Sequence, residues 1–407
     1  MQRGDRPLRD RRTGGGHGGR HRSHAHGLRS RHSDRRHHGK AALQRAFAAL
    51  SEPEQEHGST ARIAILLVNM GSPEAPVAAA VRRYLKEFLS DPRVVELPRA
   101  LWLPLLHGIV LNVRPKASAR KYARIWGNDG SPLLVHTRAQ AARLGEALAG
   151  RTGSPVQVEA AMRYGEPAIA GALARLKALG CERILVLPLY PQYAASTTAS
   201  AVDEVARYLR ATRDIPEVRL VKHFHDHPAY LAALAASVRE HWKANGRGER
   251  LLMSFHGLPR SMIERGDPYY GECQQTARLL ADSLDLDEDQ WTISFQSRFG
   301  RRKWLEPATA ATLAAWGGQG LKRVDVLCPG FVSDCLETLE EIGIGAKETF
   351  LGAGGGQFRL IACLNEREDW IAALAMIALG HLSGWVSASA DGEHGGADPG
   401  RVQAAAP

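Results

Sequence analysis

His256 follows the apolar run Arg250–Phe255 and precedes Gly257-Leu258-Pro259, residues that fix a turn. An imidazole in water titrates at about 6.5, so one held at the mouth of a buried strand is a candidate proton acceptor or metal ligand. A structural histidine bonded to its own loop is the competing account. Glu337 and Glu341 stand four apart in Asp334-Cys-Leu-Glu-Thr-Leu-Glu-Glu341, so an α-helix there would put both on one face. On a pocket face such a pair could bind a cation or carry protons; on a solvent face it does neither. Asp334-x-x-Glu337 also reads as a capping box, which would occupy the Glu337 side chain. Met70, Arg163, Tyr190 and Phe331 fall just past apolar runs, with Trp304 a little further on. Arginine suits carboxylates, while methionine and aromatics suit the face of a ring. Collected together, these residues fit a large, flat, apolar ligand with anionic edges.

The elements that must collect them are legible as alternating runs. Arg62–Asn69, Val156–Met162, Arg183–Leu189, Val218–His223, Arg250–Phe255, Thr292–Phe295 and Val324–Leu327 are nearly continuous in apolar residues, as strands buried on both faces are. Between them the spacing predicts helices over 74–89, 133–150, 167–179, 199–213, 228–244, 271–284, 305–316 and 334–342, with a last helix over 366–380. Strands alternating with helices predict βαβ units, and the alternation restarts near residue 220. The expected fold class is therefore α/β: two Rossmann-like lobes, each a parallel sheet flanked by helices, with ligands held beyond the carboxyl ends of the strands. The expected domains are an N-terminal lobe over 61–220, a C-terminal lobe over 221–365 and a terminal helix over 366–386 packing back on the body. Residues 1–60 and 387–407 are expected to be disordered.

Composition excludes several classes. The net charge is +10, but residues 1–40 hold 12 Lys and Arg against 3 Asp and Glu, and the remaining 367 residues carry only +1. The body is nearly neutral, and no nucleic-acid partner is expected. Five cysteines with no C-x-x-C spacing argue against a disulfide scaffold, a zinc knuckle or an iron–sulfur site and fit reduced thiols in a cytoplasmic protein. Gly352-Ala-Gly354-Gly-Gly-Gln357 lacks the third glycine of a dinucleotide fingerprint; it reads as a flexible loop, and no nucleotide is expected. Leu97–Val113 is apolar but holds Pro98, Arg99, Pro104 and His107, and Trp370–Val386 is broken at Gly380, so neither reads as a membrane span. The first, flanked by Arg114, Lys116, Arg120 and Lys121, reads as a lip over a pocket or a surface that touches a membrane.

Read together, these stretches resemble ferrochelatases. The resemblance is carried by Leu67-Val-Asn-Met-Gly-Ser-Pro73, Lys121-Tyr122-x-x-Ile125 with Gly130-Ser131-Pro132, Met162-Arg-Tyr164, Leu187-Pro-Leu-Tyr-Pro-Gln-Tyr193 and Ser196-Thr-Thr198. It continues through Ser254-Phe-His-Gly-Leu-Pro259, Arg265-Gly-Asp-Pro-Tyr269, Phe295-Gln-Ser297, Trp304-Leu305-x-Pro307 and Cys328-Pro-Gly-Phe-Val-Ser-Asp-Cys-Leu-Glu-Thr-Leu-Glu-Glu341. These run in family order over about 62–380, and the wording is of a bacterial type.

The resemblance implies two similar α/β lobes with an active-site cleft between them, the chelatase-like arrangement, and insertion of Fe2+ into protoporphyrin IX to form protohaem with release of two protons. It implies His256 and Glu337 as the iron-binding and catalytic pair, with Glu341 as a further ligand or proton relay. Met70, Arg163, Tyr190, Trp304 and Phe331 match porphyrin-pocket positions, and 97–115 matches the lip, a candidate for peripheral membrane contact. A bent macrocycle exposes its nitrogen lone pairs to an arriving ion, and imidazole with carboxylate suits Fe2+ without holding it as a thiolate site would. Two departures stand out: Cys335 replaces a histidine common in relatives, and Gly345 ends an acidic row that some relatives continue. No iron–sulfur cluster is expected. Other tetrapyrroles (coproporphyrin with iron, sirohydrochlorin with cobalt) and a non-catalytic haem or metal carrier are the rival expectations.

Overall fold

The computed structural model describes residues 62–386 apart from 154 and 301. The expectations for residues 1–60 and 387–407 fall outside the described residues. Eight strands form two four-stranded sheets, every pairing parallel. The first sheet holds β1 (Arg62–Asn69), β2 (Val156–Met162), β3 (Cys181–Pro188) and β4 (Glu217–Leu220), ordered β2-β1-β3-β4. The second holds β5 (Arg250–His256), β6 (Trp291–Gln296), β7 (Arg323–Leu327) and β8 (Gln357–Leu360), ordered β6-β5-β7-β8. The fold is the α/β, chelatase-like one expected, and the second sheet repeats the topology of the first.

The repeat extends to detail. Gly71 follows β1 and Gly257 follows β5. A Cβ on Gly71 would lie 1.9 Å from the Tyr164 carbonyl oxygen, and one on Gly257 would lie 2.4 Å from the Gln296 carbonyl oxygen. Each glycine lets the chain leaving a central strand press against the end of its neighbour. Met70 and His256 thus occupy equivalent places, one in each lobe.

The largest core lies between the sheets. One apolar cluster joins Ile63, Ile65 and Leu67 of β1, Leu251, Met253 and Phe255 of β5, and the helices Pro132–Leu148, Pro228–Asn245, Tyr269–Ser283 and Glu368–Leu382. Trp370 on the last of these is fully buried against Phe224 and Tyr230. The end of that helix is fastened to the first sheet: Arg219 donates to the carbonyls of His381 and Ser383, and Trp385 donates to Glu217.

Several elements differ from the pattern read in the sequence. β8 is too short, at four residues, to stand out as an apolar run. The glycine run before it is a packed turn rather than a flexible loop: a Cβ on Gly355 would strike the Phe350 ring at 2.4 Å. The helix expected over 305–316 begins at Thr309, because Trp304–Pro307 is spent on an extended edge that bridges to Pro259 and bonds to Phe295. The segment over 97–113 is helical, as Arg99–Leu105, a π-helical stretch Leu106–Val110 and the helix Leu111–Ile125. Two further π-helical stretches, Ala195–Ala199 and Leu336–Ala346, follow β3 and β7, at equivalent points of the two lobes.

Gly257→Ala tests the close approach beside His256. The added methyl meets backbone at 2.4 Å and the Trp304 ring at 3.4 Å, so overpacking should cost about 1–3 kcal/mol. A lowered melting temperature is expected in a thermal scan; an unchanged one would mean that the neighbouring strand end yields freely.

Candidate active site

His256 ends β5, directly beside Gln296 at the end of β6. Its carbonyl accepts a hydrogen bond from the Tyr269 hydroxyl at 3.0 Å, while its half-buried ring has no hydrogen-bond partner among the described residues. The account of a structural histidine held by its loop therefore fits the backbone of His256 but not the imidazole.

Glu337 lies in the first turn of the π-helix Leu336–Ala346. The cap of that helix is not the one expected. Cys335, not Asp334, is the N-cap: its sulfur accepts from the Thr338 N–H, and the Thr338 hydroxyl accepts from the Cys335 N–H at 3.0 Å. Asp334 instead takes the Thr338 hydroxyl at 2.9 Å and the Asn365 amide at 2.8 Å. Glu337 is thus outside the capping box, though its carboxylate meets the Cys335 thiol. Its carbonyl is held by the Gln296 amide at 2.9 Å, and its side chain is half-buried. Burial pushes the phenols of Tyr84 and Tyr122 well up, and the Glu337 carboxylate adds to the shift of both. These tyrosines sit on the helices Ala78–Ser90 and Leu111–Ile125, so the carboxylate of a C-terminal-lobe residue reaches toward the N-terminal lobe.

The rest of the acidic row does other work. Glu340 is buried and pairs with Lys121 at 2.8 Å and Arg124 at 3.1 Å, fastening the π-helix to the helix Leu111–Ile125. Glu341 accepts from the Ser297 N–H and the Ser297 hydroxyl, both at 2.6 Å, so each of its oxygens has a partner. Ser297 makes these bonds from a left-handed conformation, φ 62°, which is costly for a residue with a Cβ and common at functional sites. Glu337 and Glu341 stand four apart, which keeps them near one face of this helix, but their partners differ: Glu341 is spent on Ser297, while Glu337 meets the Cys335 thiol.

The remaining candidates divide by burial. Met70 and Leu336 pack with Tyr84, Tyr122 and Tyr164 in one cluster, which brings the first turn of the π-helix against the N-terminal lobe. Phe331 is half-buried against the core behind β7. Trp304 is buried over Gly257, and its indole donates to the Phe299 carbonyl at 3.0 Å. Phe299 is exposed, and the Arg114 guanidinium of the lip lies 5.5 Å from its ring centroid, a contact from one lobe to the other. Tyr190 is buried with a hydroxyl that has no hydrogen-bond partner.

Arg163 is where the chemistry read from residue type needs correction. It was assigned to a ligand carboxylate, but its buried guanidinium is already bonded to Asp91 at 2.5 Å and to the Ser200 hydroxyl at 2.7 Å and carbonyl at 2.9 Å. The Tyr164 and Ser200 hydroxyls complete the shell of Asp91 at 2.9 and 2.6 Å. Burial alone would raise the Asp91 carboxyl, but hydrogen bonds from Ser200, the Arg93 N–H and Tyr164, together with the Arg163 charge, hold it below the usual range. Asp91, Ser200 and Tyr84 were not singled out in the sequence, and Gln296, Ser297, Tyr122 and Tyr164 entered only as parts of motifs; each is a common polar residue whose role depends on a partner far along the chain.

A two-lobed α/β body that sets an unbonded imidazole and a half-buried carboxylate beside one buried amide has the makings of a tetrapyrrole metal chelatase. Residues 62–382 match the family model Ferrochelatase, and the chain belongs to the ferrochelatase family. It is 60% identical over 339 residues to the ferrochelatase of Azoarcus sp. (strain BH72), covering 83% of this chain and 93% of that protein. It is 58% identical over 337 residues to that of Aromatoleum aromaticum, covering 83% and 92%. Among solved structures it is similar to SirB from Bacillus subtilis with Fe3+, at a TM-score of 0.46 and 14% identity over 78% of this chain and 94% of that one. The chain is accordingly a porphyrin metal chelatase, a lyase that inserts iron into a porphyrin for haem synthesis, with a porphyrin and ferrous iron as substrates.

Arg163→Ala separates the two roles of that arginine. Stranding a buried carboxylate should cost about 3–5 kcal/mol in chemical denaturation at neutral pH. A ligand-binding arginine would instead raise KM and leave stability alone. Because the folded value of Asp91 is depressed, its contribution is complete above the ordinary carboxylate range and is lost as pH falls through the lowered value. The stability gap between wild type and Asp91→Asn should therefore be widest near neutrality and close in acid.

Proposed function

We propose that His256 and Glu337 carry the metallation, with protoporphyrin IX as the ring that receives the iron. The observation supporting this is that both side chains are half-buried, the imidazole unbonded and the carboxylate met by the Cys335 thiol, while Gln296 pairs beside His256 and holds the Glu337 carbonyl. Porphyrin metallation replaces two pyrrole N–H protons by one Fe2+, so the site must accept two protons while presenting donors that bind iron and then let it go. A neutral imidazole accepts a pyrrole proton and passes it on; imidazole and carboxylate together stabilise Fe2+ less firmly than thiolates would. Glu337 is the second donor or the outlet for protons. Glu341 joins them only if it gives up Ser297, so it is assigned a relay or supporting role.

Met70, Tyr190, Trp304 and Phe331 are proposed to line the ring's site, and Arg163 to shape it through Asp91. With Arg163 committed, the exposed Arg114 at the lip is the better candidate for the ring's acidic edge. We also assign the chain to the cytoplasm, with the lip touching a membrane surface. No helix among the described residues is long and apolar enough to cross a membrane. Leu101, Leu105, Ile109 and Val113 recur every fourth residue on the lip and are exposed, Leu101 to 73% and Val113 to 70%. No nucleotide or iron–sulfur cluster has a part in this mechanism.

The experiment follows the haem absorption band from Fe2+ and porphyrin under reducing conditions. His256→Ala should abolish turnover while protoporphyrin still quenches the protein's fluorescence. Glu337→Gln should lower kcat at least tenfold, and Glu341→Gln should lower it less. Near-normal turnover in His256→Ala would refute the assignment. Faster metallation of coproporphyrin, or of sirohydrochlorin with Co2+, would replace protoporphyrin as the substrate.

A further inference from the structure

We propose a further metal site, at His223, His225 and Glu272, that takes a first-row divalent cation such as Zn2+ or Co2+. The ligand atoms of these three side chains lie within 4.8 Å of one another. His223 and His225 follow β4, and Glu272 lies in the first turn of the helix Tyr269–Ser283. His223 Nδ1 is 2.7 Å from Glu272 Oε1, and His225 Nδ1 is 3.5 Å from Glu272 Oε2. Asp226 Oδ1 stands 3.9 Å from the same His225 nitrogen.

The hydrogen bonds around the cluster prepare His225 as a ligand. The Gln275 amide nitrogen donates to Asp226 at 3.3 Å, which turns its oxygen toward His225 Nε2 at 3.0 Å. An oxygen there requires Nε2 to carry the proton, so a neutral His225 directs the lone pair of Nδ1 inward. That Nδ1 is buried and has no hydrogen-bond partner, on a residue only 4% exposed. A lone pair and a carboxylate facing each other at 3.5 Å call for a cation between them. The second ring nitrogen anchored to an amide oxygen is the support that metal-bound histidines have. The Tyr193 N–H holds Glu272 Oε2 at 2.7 Å, so the carboxylate is oriented as well. Two imidazoles and a carboxylate select borderline divalent ions over Mg2+ or Ca2+. His223 is half-exposed and gives the ion a way in.

The site joins parts of both lobes. Tyr193 belongs to the loop after β3 that carries Tyr190, and Gln192 and Ala195 of that stretch bond to Thr276 and Asp267. A bound ion would therefore clamp the Tyr190 loop and the exit of β4 onto the helix Tyr269–Ser283. It acts as a staple and takes no part in metallation.

The test uses the full chain in the His256→Ala background, so that this proposed iron ligand does not contribute, with Zn2+ as probe. The histidine-rich residues 1–40 are common to every variant, and so are any ions they take. Zn2+ should raise the melting temperature of His256→Ala, and His223→Ala added to it should remove the rise and one equivalent of bound Zn2+ in equilibrium dialysis. His223 is partly exposed, so the variant is expected to match its parent in EDTA. Co2+ should give the visible bands of a four- or five-coordinate ion, weakened at least tenfold by either His223→Ala or Glu272→Gln. Equal Zn2+ content and equal stabilisation with and without His223 would overturn the proposal. Because turnover is not read, its failure is distinguishable from failure of the assignment of His256 and Glu337.

Discussion

The amide of Gln296 is the tie on which the site's geometry rests. It is buried at the end of β6, where its oxygen accepts from the Ser254 hydroxyl of β5 at 2.7 Å and its nitrogen donates to the Glu337 carbonyl at 2.9 Å. Ser254 in turn meets Thr309, which also meets Ser294. One side chain thus joins the strand that ends in His256 to the turn that carries Glu337. Buried polar groups in such a chain are costly to leave unpaired, so the arrangement has little freedom to slip. The imidazole of His256 stays unbonded and the carboxylate of Glu337 meets the Cys335 thiol, while the backbone beneath both is fixed.

The internal repeat shows how one architecture was put to two uses. In each lobe a glycine after the central strand lets the chain press on its neighbour, and a π-helical stretch follows the third strand. The first lobe places Met70 at the strand end and spends its polar residues on the buried set of Asp91, Arg163, Tyr164 and Ser200. The second lobe places His256 there and leaves its ring unbonded. The lobes therefore differ at equivalent strand ends: the first carries a methionine packed into a cluster, the second an imidazole with no hydrogen-bond partner among the described residues.

The two-lobed α/β fold was legible because strands buried on both faces read as unbroken apolar runs, and Arg62–Asn69 and Arg250–Phe255 are such runs. The four-residue β8 was not, being half-polar and short. The site was legible as residue types past strand ends, and His256 stands where that rule put it. What could not be read were partners. Nothing in Met162-Arg-Tyr164 says that Asp91, over seventy residues earlier, will consume the arginine. His223-x-His225 carries no metal spacing of its own until folding delivers Glu272.

The acidic row shows how neighbouring carboxylates are shared out. Glu337 and Glu341 stand four apart, close enough on a helix for like charges to repel. Glu337 lies toward Tyr84 and Tyr122, Glu340 pairs with Lys121 and Arg124, and Glu341 is held by the N–H and hydroxyl of Ser297. One charge is paired with cations and another is met by hydrogen bonds, and both sets of contacts hold the helix in place. Cys335 belongs to the same solution. As an N-cap its sulfur takes the Thr338 N–H, and burial, reinforced by the nearby Glu337 carboxylate, pushes its thiol well up. A neutral thiol at that place caps the helix and hydrogen-bonds the Glu337 carboxylate beside it.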